Sequence, residues 1–204
     1  MISFLHKIVR KVFETMKRVL FFVLALIMVL PLISCSEEGT QRGKIDGNVY
    51  ENKGVGITFT APEGWEFMSD EEISVEWNLG NKSFDEQLKS GVAYDAVAKS
   101  NKPGAGNTVV FKFEDKKTLD IEKFSKEVYA ESIRAELKIQ DPMTQIPMTE
   151  IEKMKFGEGF YRVIVGKDVR FAIYMKELDD EILFTATVKL LDDTKIADVD
   201  KMFK

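Results

Sequence analysis

The sequence predicts an α+β fold in which an antiparallel β-sheet is flanked by helices. Many segments alternate apolar and polar residues over the length of one strand, and the last of them are joined by turns too short for parallel crossovers. One long segment instead repeats apolar residues at steps of three and four, which is typical of an amphipathic helix. We assign these patterns to a single domain that covers residues 48–204.

The domain opens with predicted strands that are joined by tight turns. The first strand begins near Val49, and the next one places Ile57 and Phe59 on one face. Residues 62–64 read Pro-Glu-Gly, which is typical of a turn because proline fixes φ and glycine accepts a positive φ. Trp65 follows this turn at the start of a strand, where we expect a tryptophan to belong to the core.

A hairpin and a meander supply the rest of the predicted sheet. Residues 93–100 and 107–115 are expected to pair as antiparallel strands, and the second strand points Phe111 toward a buried face. Four more strands are predicted in the last third of the chain, joined by turns such as residues 166–168. The strand over residues 169–177 points Phe171 toward the core. Their ranges are 148–154, 159–166, 169–177 and 181–189.

Helices are predicted between these strands and at the end of the chain. Ser69 precedes Glu72 by three residues, which is the spacing of a capping box and indicates the start of a short helix. A second short helix is expected over residues 84–88. The long amphipathic helix is expected over residues 119–138, and a closing helix over residues 193–203.

The first 34 residues have the pattern of a secretory signal peptide. Residues 19–33 are uncharged and mostly aliphatic, and as a helix they would be about 22 Å long. That length is short of the ~30 Å hydrocarbon layer of a membrane. Lys17 and Arg18 precede the apolar run and the small residue Ser34 follows it, which is the order of a cleaved signal. The chain has a second methionine at Met16, which is an alternative start.

The cysteine that follows this run is the predicted site of lipid attachment. Residues 32–35 read Leu-Ile-Ser-Cys and resemble the lipobox of bacterial lipoproteins. The resemblance implies that Cys35 is acylated and becomes the first residue of the mature chain. The alternative is a free cysteine behind an ordinary cleaved signal or a short membrane anchor. Residues 35–47 are rich in glycine and charge, so we expect a flexible tether between the lipid and the domain.

Charge and composition exclude several classes of function. Residues 1–34 hold five of the 29 basic and one of the 34 acidic residues, so 24 basic and 33 acidic residues remain and the formal charge is −9. Such a chain does not attract nucleic acid. The one histidine, His6, is lost with the signal, and the thiol of Cys35 is taken by the lipid. Nucleophile systems that need a histidine base and zinc sites of His and Cys are therefore excluded, and we expect neither a metal nor a cofactor.

Three residues form the candidate binding surface. Trp77 ends an acidic helix, where it is either exposed or covers the core beneath that helix. Asp95 is the one acid in an apolar strand, next to Tyr94. A buried hydrogen-bonding residue, a pocket acid and an outward-facing residue are all open readings of Asp95, and alternation along the strand favours the last.

Acidic runs in the sequence are expected at helix starts and turns. They lie at residues 70–72, 179–181 and 192–193, and no Asp-x-Asp-x-Asp-Gly loop accompanies them. Calcium needs six to eight oxygen ligands in a set geometry. Acids at a helix start are favoured by the helix dipole, which explains these runs without a metal.

The order of the predicted elements resembles the PsbP-like fold. That fold is shared by photosystem II extrinsic proteins, a Ran-binding nuclear import protein and small bacterial lipoproteins. The segments Tyr-Glu-Asn at 50–52, Gly-Ile-Thr-Phe at 56–59 and Pro-Glu-Gly-Trp at 62–65 look most like those lipoproteins. The resemblance spans about residues 48–203 and implies an α/β/α sandwich. Its motifs are turns and core positions, so it implies protein binding only in general terms and no active site.

These observations predict a non-enzymatic lipoprotein of the bacterial cell envelope. It is expected outside the cytoplasm, anchored to a membrane through the lipid on Cys35, where it acts as a protein-binding or scaffolding module with an envelope protein as partner. Two alternatives remain open. One is a small-ligand carrier with a pocket between the sheet and the long helix. The other is a cell-wall hydrolase that uses two carboxylates, a chemistry that needs no histidine.

Overall fold

The structure contains two antiparallel β-sheets and four short to medium helices in the residues that it describes. A computed structural model describes residues 40–102, 106–119, 124–140, 150–164, 171–192 and 194–204. All of them belong to one compact unit, Glu38–Lys204. The predicted signal peptide, Cys35 and the predicted turn at 166–168 lie outside the described residues.

The described strands number ten. They are β1 (Lys44–Asp46), β2 (Val49–Asn52), β3 (Ile57–Thr60), β4 (Trp65–Phe67), β5 (Val92–Ser100), β6 (Thr108–Asp115), β7 (Glu150–Lys153), β8 (Tyr161–Ile164), β9 (Phe171–Glu177) and β10 (Ile182–Lys189). The helices are α1 (Asp70–Glu76), α2 (Phe84–Lys89), α3 (Lys126–Gln140) and α4 (Ile196–Val199), with short 3₁₀ turns at Lys116–Leu119 and Asp200–Met202.

All neighbouring strands pair antiparallel. The small sheet has the order β1-β2-β3, and the large sheet has the order β4-β5-β6-β10-β9-β8-β7. The predicted hairpin is the pair β5 and β6, and the predicted meander is the run from β7 to β10. The predicted α+β class with an antiparallel sheet is therefore confirmed.

One face of the large sheet packs against the small sheet and the C-terminal residues. Tyr50 and Phe59 come from the small sheet, and Phe111 and Phe184 come from the large one. Phe203 closes the same cluster, and all five side chains are buried. The ring centroids of Tyr50 and Phe111 are 4.2 Å apart. Each such burial stabilises the fold by about 1.5–3 kcal/mol, so this layer is the main core.

Helices cover the other face of the large sheet. Tyr129 and Ala130 of α3 pack against Ile173 of β9 and Leu183 of β10. Ile73 of α1 packs against β5 in a third cluster. Because both faces are covered, β9 buries Ala172, Ile173, Tyr174 and Met175 in succession instead of alternating buried and exposed residues.

Capping boxes fix the starts of the two short helices. The Ser69 backbone N–H donates to the Glu72 carboxylate at 2.8 Å, and the Glu72 N–H donates to the Ser69 hydroxyl at 3.3 Å. Ser83 and Glu86 form the same reciprocal pair at the start of α2. The prediction from the Ser69 spacing is confirmed, since these side chains satisfy N–H groups that the first helical turn leaves unpaired.

Two boundaries differ from those predicted. The domain starts before residue 48, because β1 lies inside the segment assigned to the flexible tether and pairs with β2. All three β1 residues are exposed, so the strand is held by backbone hydrogen bonds and leaves no apolar pattern. The long helix begins at Lys126 rather than at 119, and the hydroxyl of Ser125 accepts from the Val128 N–H at 3.2 Å at its start.

Among the described residues, no helix has both the length and the apolar character needed to span a membrane.

Candidate functional site

Asp95 is a buried acid at a β-bulge in the large sheet. The pairing of β5 with β6 shifts register between Tyr94 and Ala96. Two successive residues, Asp95 and Ala96, therefore face the small sheet, and only 2% of Asp95 is exposed. The expectation that Asp95 faces outward is wrong, because the bulge interrupts the alternation on which it rested.

The Asp95 carboxylate binds groups from the start of the domain. Its Oδ2 accepts a 2.6 Å hydrogen bond from the Tyr50 hydroxyl and a 3.2 Å bond from Asn52 Nδ2. Both carboxylate oxygens lie 3.0 Å from the Gly43 N–H. Burial, followed by the charge of Asp95, raises the pKa of Tyr50 well above its ordinary value, which keeps the hydroxyl a donor. These donors satisfy a carboxylate that would otherwise be costly to bury.

Residues 41–43, which we call the N-terminal strap, lie against this carboxylate. The Gln41 carbonyl accepts from Asn52 Nδ2 at 2.8 Å. A Cβ atom on Gly43 would lie 2.3 Å from Cε2 of Tyr50, so only glycine fits there. Since β4 pairs with residues 98–100 of β5, β5 forms the edge of the sheet beside Asp95. The strap therefore binds at a sheet edge.

Arg42 joins Asp95 to the first turn of α1. Its guanidinium donates two hydrogen bonds of 2.7 and 2.9 Å to the Asp70 carboxylate. Its Nη2 donates to the Asp95 carbonyl at 2.9 Å, and its Nε lies 3.6 Å from Asp95 Oδ1. The hydrogen bonds with Asp70 raise the pKa of Arg42 and lower the pKa of Asp70. The Arg42 side chain is 38% exposed, so this pair positions α1 more than it stabilises the fold.

Tyr94 and Trp77 lie side by side on the helix-covered face of the sheet. Their ring centroids are 4.8 Å apart and the rings are tilted by 35°. Both side chains are partly buried and pack on a cluster that contains Ile73 and Val97. Of the two readings of Trp77, the structure therefore supports the one in which it covers the core. The Tyr94 N–H donates to Gln87 Oε1 at 3.1 Å, and burial raises the pKa of the Tyr94 hydroxyl.

A cleft of about 540 Å³ opens between the strap, α1 and α2. Arg42, Asp70 and Tyr94 line one part of it, and Phe84 and Gln87 of α2 line another. Its volume is in the range of sites that bind small molecules or peptide side chains. We call this the strap cleft.

The three predicted site residues have different relations to the strap cleft. Tyr94 lines it. The Trp77 ring packs against the Tyr94 ring, and the Asp95 carboxylate forms an ion pair with Arg42. Arg42 itself was not predicted, because it lies in the segment assigned to the tether. Gly43, which follows Arg42, is a weak sequence signal of this contact, because only a small residue fits where the backbone lies against the Tyr50 ring.

The acidic runs have structural roles. Residues 70–72 form the first turn of α1. In the turn between β9 and β10, Asp179 Oδ1 accepts from the N–H groups of Glu181 and Ile182, both at 2.7 Å. In the part of the chain that the structure describes, no group of three or more His, Cys, Asp or Glu side chains is arranged to hold a metal ion. Asp193 lies outside the described residues.

No family model matches this chain, and no curated protein sequence does. Among solved structures, the chain is similar to the solution structure of cyanobacterial PsbP (CyanoP) from Synechocystis sp. PCC 6803, with a TM-score of 0.42. The two share 15% sequence identity over 85% of this chain and 98% of that chain. That protein has the fold that the sequence motifs resemble, and at this identity the likeness concerns the fold alone.

Proposed function

We propose that this chain is a lipoprotein whose domain binds another protein of the bacterial cell envelope and performs no catalysis. A lipid on Cys35 anchors it outside the cytoplasm, and the domain serves as a scaffold there. The observation that carries the proposal is the role of Arg42, which hydrogen-bonds to the Asp70 carboxylate and forms a 3.6 Å ion pair with the Asp95 carboxylate. Two acids that share one guanidinium hold structure together and are poorly suited to acid–base chemistry.

The hydrolase alternative needs a different state of these acids. A glycosidase requires one protonated and one ionised carboxyl group that face the sugar from opposite sides. Here Arg42 lowers the pKa of Asp70, which keeps that carboxyl ionised, and Asp95 is turned toward Tyr50 and Asn52. The arrangement therefore favours binding over hydrolysis.

The short distance along the chain from Cys35 to the strap supports a role near the membrane. Roughly seven residues separate Cys35 from Arg42, and a fully extended chain of that length spans at most about 25 Å. A lipid on Cys35 would hold the strap cleft within that distance of the bilayer surface. A partner bound there would be another membrane-associated protein of the envelope.

Metabolic labelling with a fatty acid tests the anchor. We expect label on the wild-type chain and none on Cys35→Ala, which is left unprocessed or released from the membrane. Stable attachment takes about two acyl chains, at ~0.8 kcal/mol per buried CH₂, so loss of the acylated residue is sufficient to detach the protein. Label on the Cys35→Ala chain would reject the lipoprotein assignment.

Photo-crosslinking in native membranes tests the partner. A photoreactive residue at Asn81, which lines the strap cleft, is expected to crosslink to one envelope protein. The same residue at Asp180, in the exposed turn between β9 and β10, is the matched control and should not crosslink to that protein. Turnover of peptidoglycan fragments that stops in a folded Asp70→Asn chain would instead establish the hydrolase.

A small-ligand carrier is the second candidate, and the volume of the strap cleft favours it. The pocket expected between the sheet and the long helix does not suit this role, because Tyr129 and Ala130 fill that interface. Ile73, Leu79 and Phe84 give the strap cleft an apolar lining instead. Native mass spectrometry of the purified chain tests this role, since a carrier is expected to retain a bound molecule of defined mass.

A further inference from the structure

A second concave surface lies on the outer side of α1. It is a groove of about 340 Å³ lined by Met68, Glu71, Glu72, Val75, Glu76 and Lys99, and we call it the α1 groove. Val75 is 83% exposed, which is the highest value among the exposed large apolar residues of the described chain. Met68, beside it, is buried. The apolar floor of the groove is therefore mainly Val75, which the described domain leaves uncovered and which, with Glu71, also lines the strap cleft.

Carboxylates dominate the rim of the α1 groove. Glu71, Glu72 and Glu76 face one cation, Lys99, so the rim has a formal charge of −2. Lys99 lies 3.5 Å from Glu72, which also accepts from the Ser69 N–H. Glu71 and Glu76 are exposed and make no ion pair with any residue that the structure describes. Two carboxylates therefore remain available to a ligand.

We propose that the α1 groove binds a segment of a partner protein in which an apolar side chain is flanked by lysine or arginine. The apolar side chain covers Val75, and the flanking cations pair with Glu71 and Glu76. Both parts are needed, since exposed ion pairs alone contribute about 1 kcal/mol or less. This inference rests on the proposed function, because it names the chemistry of the protein that the domain binds.

Charge argues against the other occupants. A second copy of the chain would bring an equally acidic rim against this one, and like charges at an interface are repulsive. An anionic membrane surface attracts clustered lysine and arginine, which this rim lacks. A basic segment of a partner is complementary in charge to the rim, and its apolar side chain can cover Val75.

Peptide titration of the lipid-anchored full chain in detergent micelles tests the proposal. The probe is the peptide Lys-Lys-Ser-Leu-Ser-Lys-Lys, followed through amide chemical shifts. We expect shifts confined to residues 68–76 and Lys99, and weaker binding at 500 mM than at 50 mM salt because exposed charges are screened. Two comparison peptides, one with Glu in place of Lys and one with Ser in place of Leu, should each bind at least five-fold more weakly.

Matched variants locate the site. Val75→Lys removes the apolar floor and adds a charge that repels lysine. We expect the lysine peptide to bind this variant at least five-fold more weakly. Val128→Lys on α3 is the control, because Val128 is also an exposed helical valine, at 43% exposure. The double change Glu71→Gln and Glu76→Gln should remove the salt dependence.

Three results would overturn the proposal. They are equal binding of the acidic or leucine-free peptide, no effect of Val75→Lys, and self-association that Val75→Lys abolishes, which would assign the groove to a second copy. The labelling and crosslinking experiments above probe Cys35 and Asn81, and neither residue lines the α1 groove. If labelling and crosslinking give the expected results but the peptide does not bind, the groove proposal is rejected and the proposed function is kept.

Discussion

The hydroxyl of Tyr50 donates a 2.6 Å hydrogen bond to the carboxylate of Asp95, and this bond joins the small sheet to the edge of the large one. Both residues are almost fully buried, at 0% and 2% exposure. The same carboxylate contacts Gly43 and Arg42 of the strap, so the bond fixes the acid to which the strap binds.

Removal of the Asp95 carboxylate should destabilise the domain strongly. Asp95→Ala leaves the Tyr50 hydroxyl, the Asn52 amide and the Gly43 N–H without their acceptor, and we expect a loss of about 3 kcal/mol in the free energy of unfolding. Tyr50→Phe removes a single donor and should cost about 1.5 kcal/mol. Urea denaturation measures both, with Asp180→Ala in an exposed turn as the control. A loss below about 1 kcal/mol for Asp95→Ala would show that the network is not needed.

A methyl group on Gly43 should release the strap. The added Cβ of Gly43→Ala meets the Tyr50 ring and the Glu51 carbonyl, so the strap must move away from Asp95. We expect faster trypsin cleavage after Arg42 and Lys44, with the rest of the domain remaining intact. Gly80→Ala is the control, because its new Cβ meets nothing within 4 Å and the strain from its positive φ is local to the loop after α1, so cleavage at these two bonds should be unchanged. Equal protection in both variants would contradict a bound strap.

The two phenylalanines expected in the core differ in burial, and the difference predicts unequal losses. Phe111 is 0% exposed and its ring centroid lies 5.3 Å from that of Phe59, so Phe111→Ala should cost about 3–5 kcal/mol. Phe171 is only partly buried under α3, and Phe171→Ala should cost about 1–2 kcal/mol. Chemical denaturation gives both values. Losses of similar size would mean that α3 packs more tightly than the structure indicates.

Asp192 should make stability depend on acid pH. Hydrogen bonds from the Thr194 side chain, the Asn107 side chain and the Thr194 N–H lower the pKa of Asp192 from 3.8 to about 2. A lowered pKa means that the ionised form stabilises the fold above about pH 4, and that this contribution is lost as the pH falls toward 2. Asp192→Asn should be less stable than the wild type at neutral pH, and the two should converge near pH 2. A constant difference across thermal unfolding curves from pH 2 to 7 would contradict this.

Local signals in the sequence are sufficient for most elements of the fold. The Ser69 and Glu72 spacing predicts α1 because the capping box is formed by residues three apart, and alternation predicts β3 and β6 because each has one buried face. The start of α3 was harder to predict from the sequence. Apolar residues from 119 onward continue the helical period, although Lys116–Leu119 forms a 3₁₀ turn.

The candidate site could not be predicted in the same way, because its contacts join distant parts of the chain. Arg42 bonds to groups 28 and 53 residues away. Asp95 is buried through a bulge, and a one-residue shift of register leaves no mark in the apolar pattern. Val75 did leave a signal, since it is an apolar residue among the acids of α1 and lies off the face that carries Ile73.

The strap is the first part of the domain that tension on the N-terminal end of the chain would act on. Tension from the proposed membrane anchor would reach the described chain near residue 41 and act first on the hydrogen bonds that Gln41, Arg42 and Gly43 make with Asn52, Asp70 and Asp95. The main core around Phe111 lies behind them, on β strands that the pull does not reach until the strap has detached. A pull on the proposed anchor would therefore detach residues 41–43 while the two sheets stay folded.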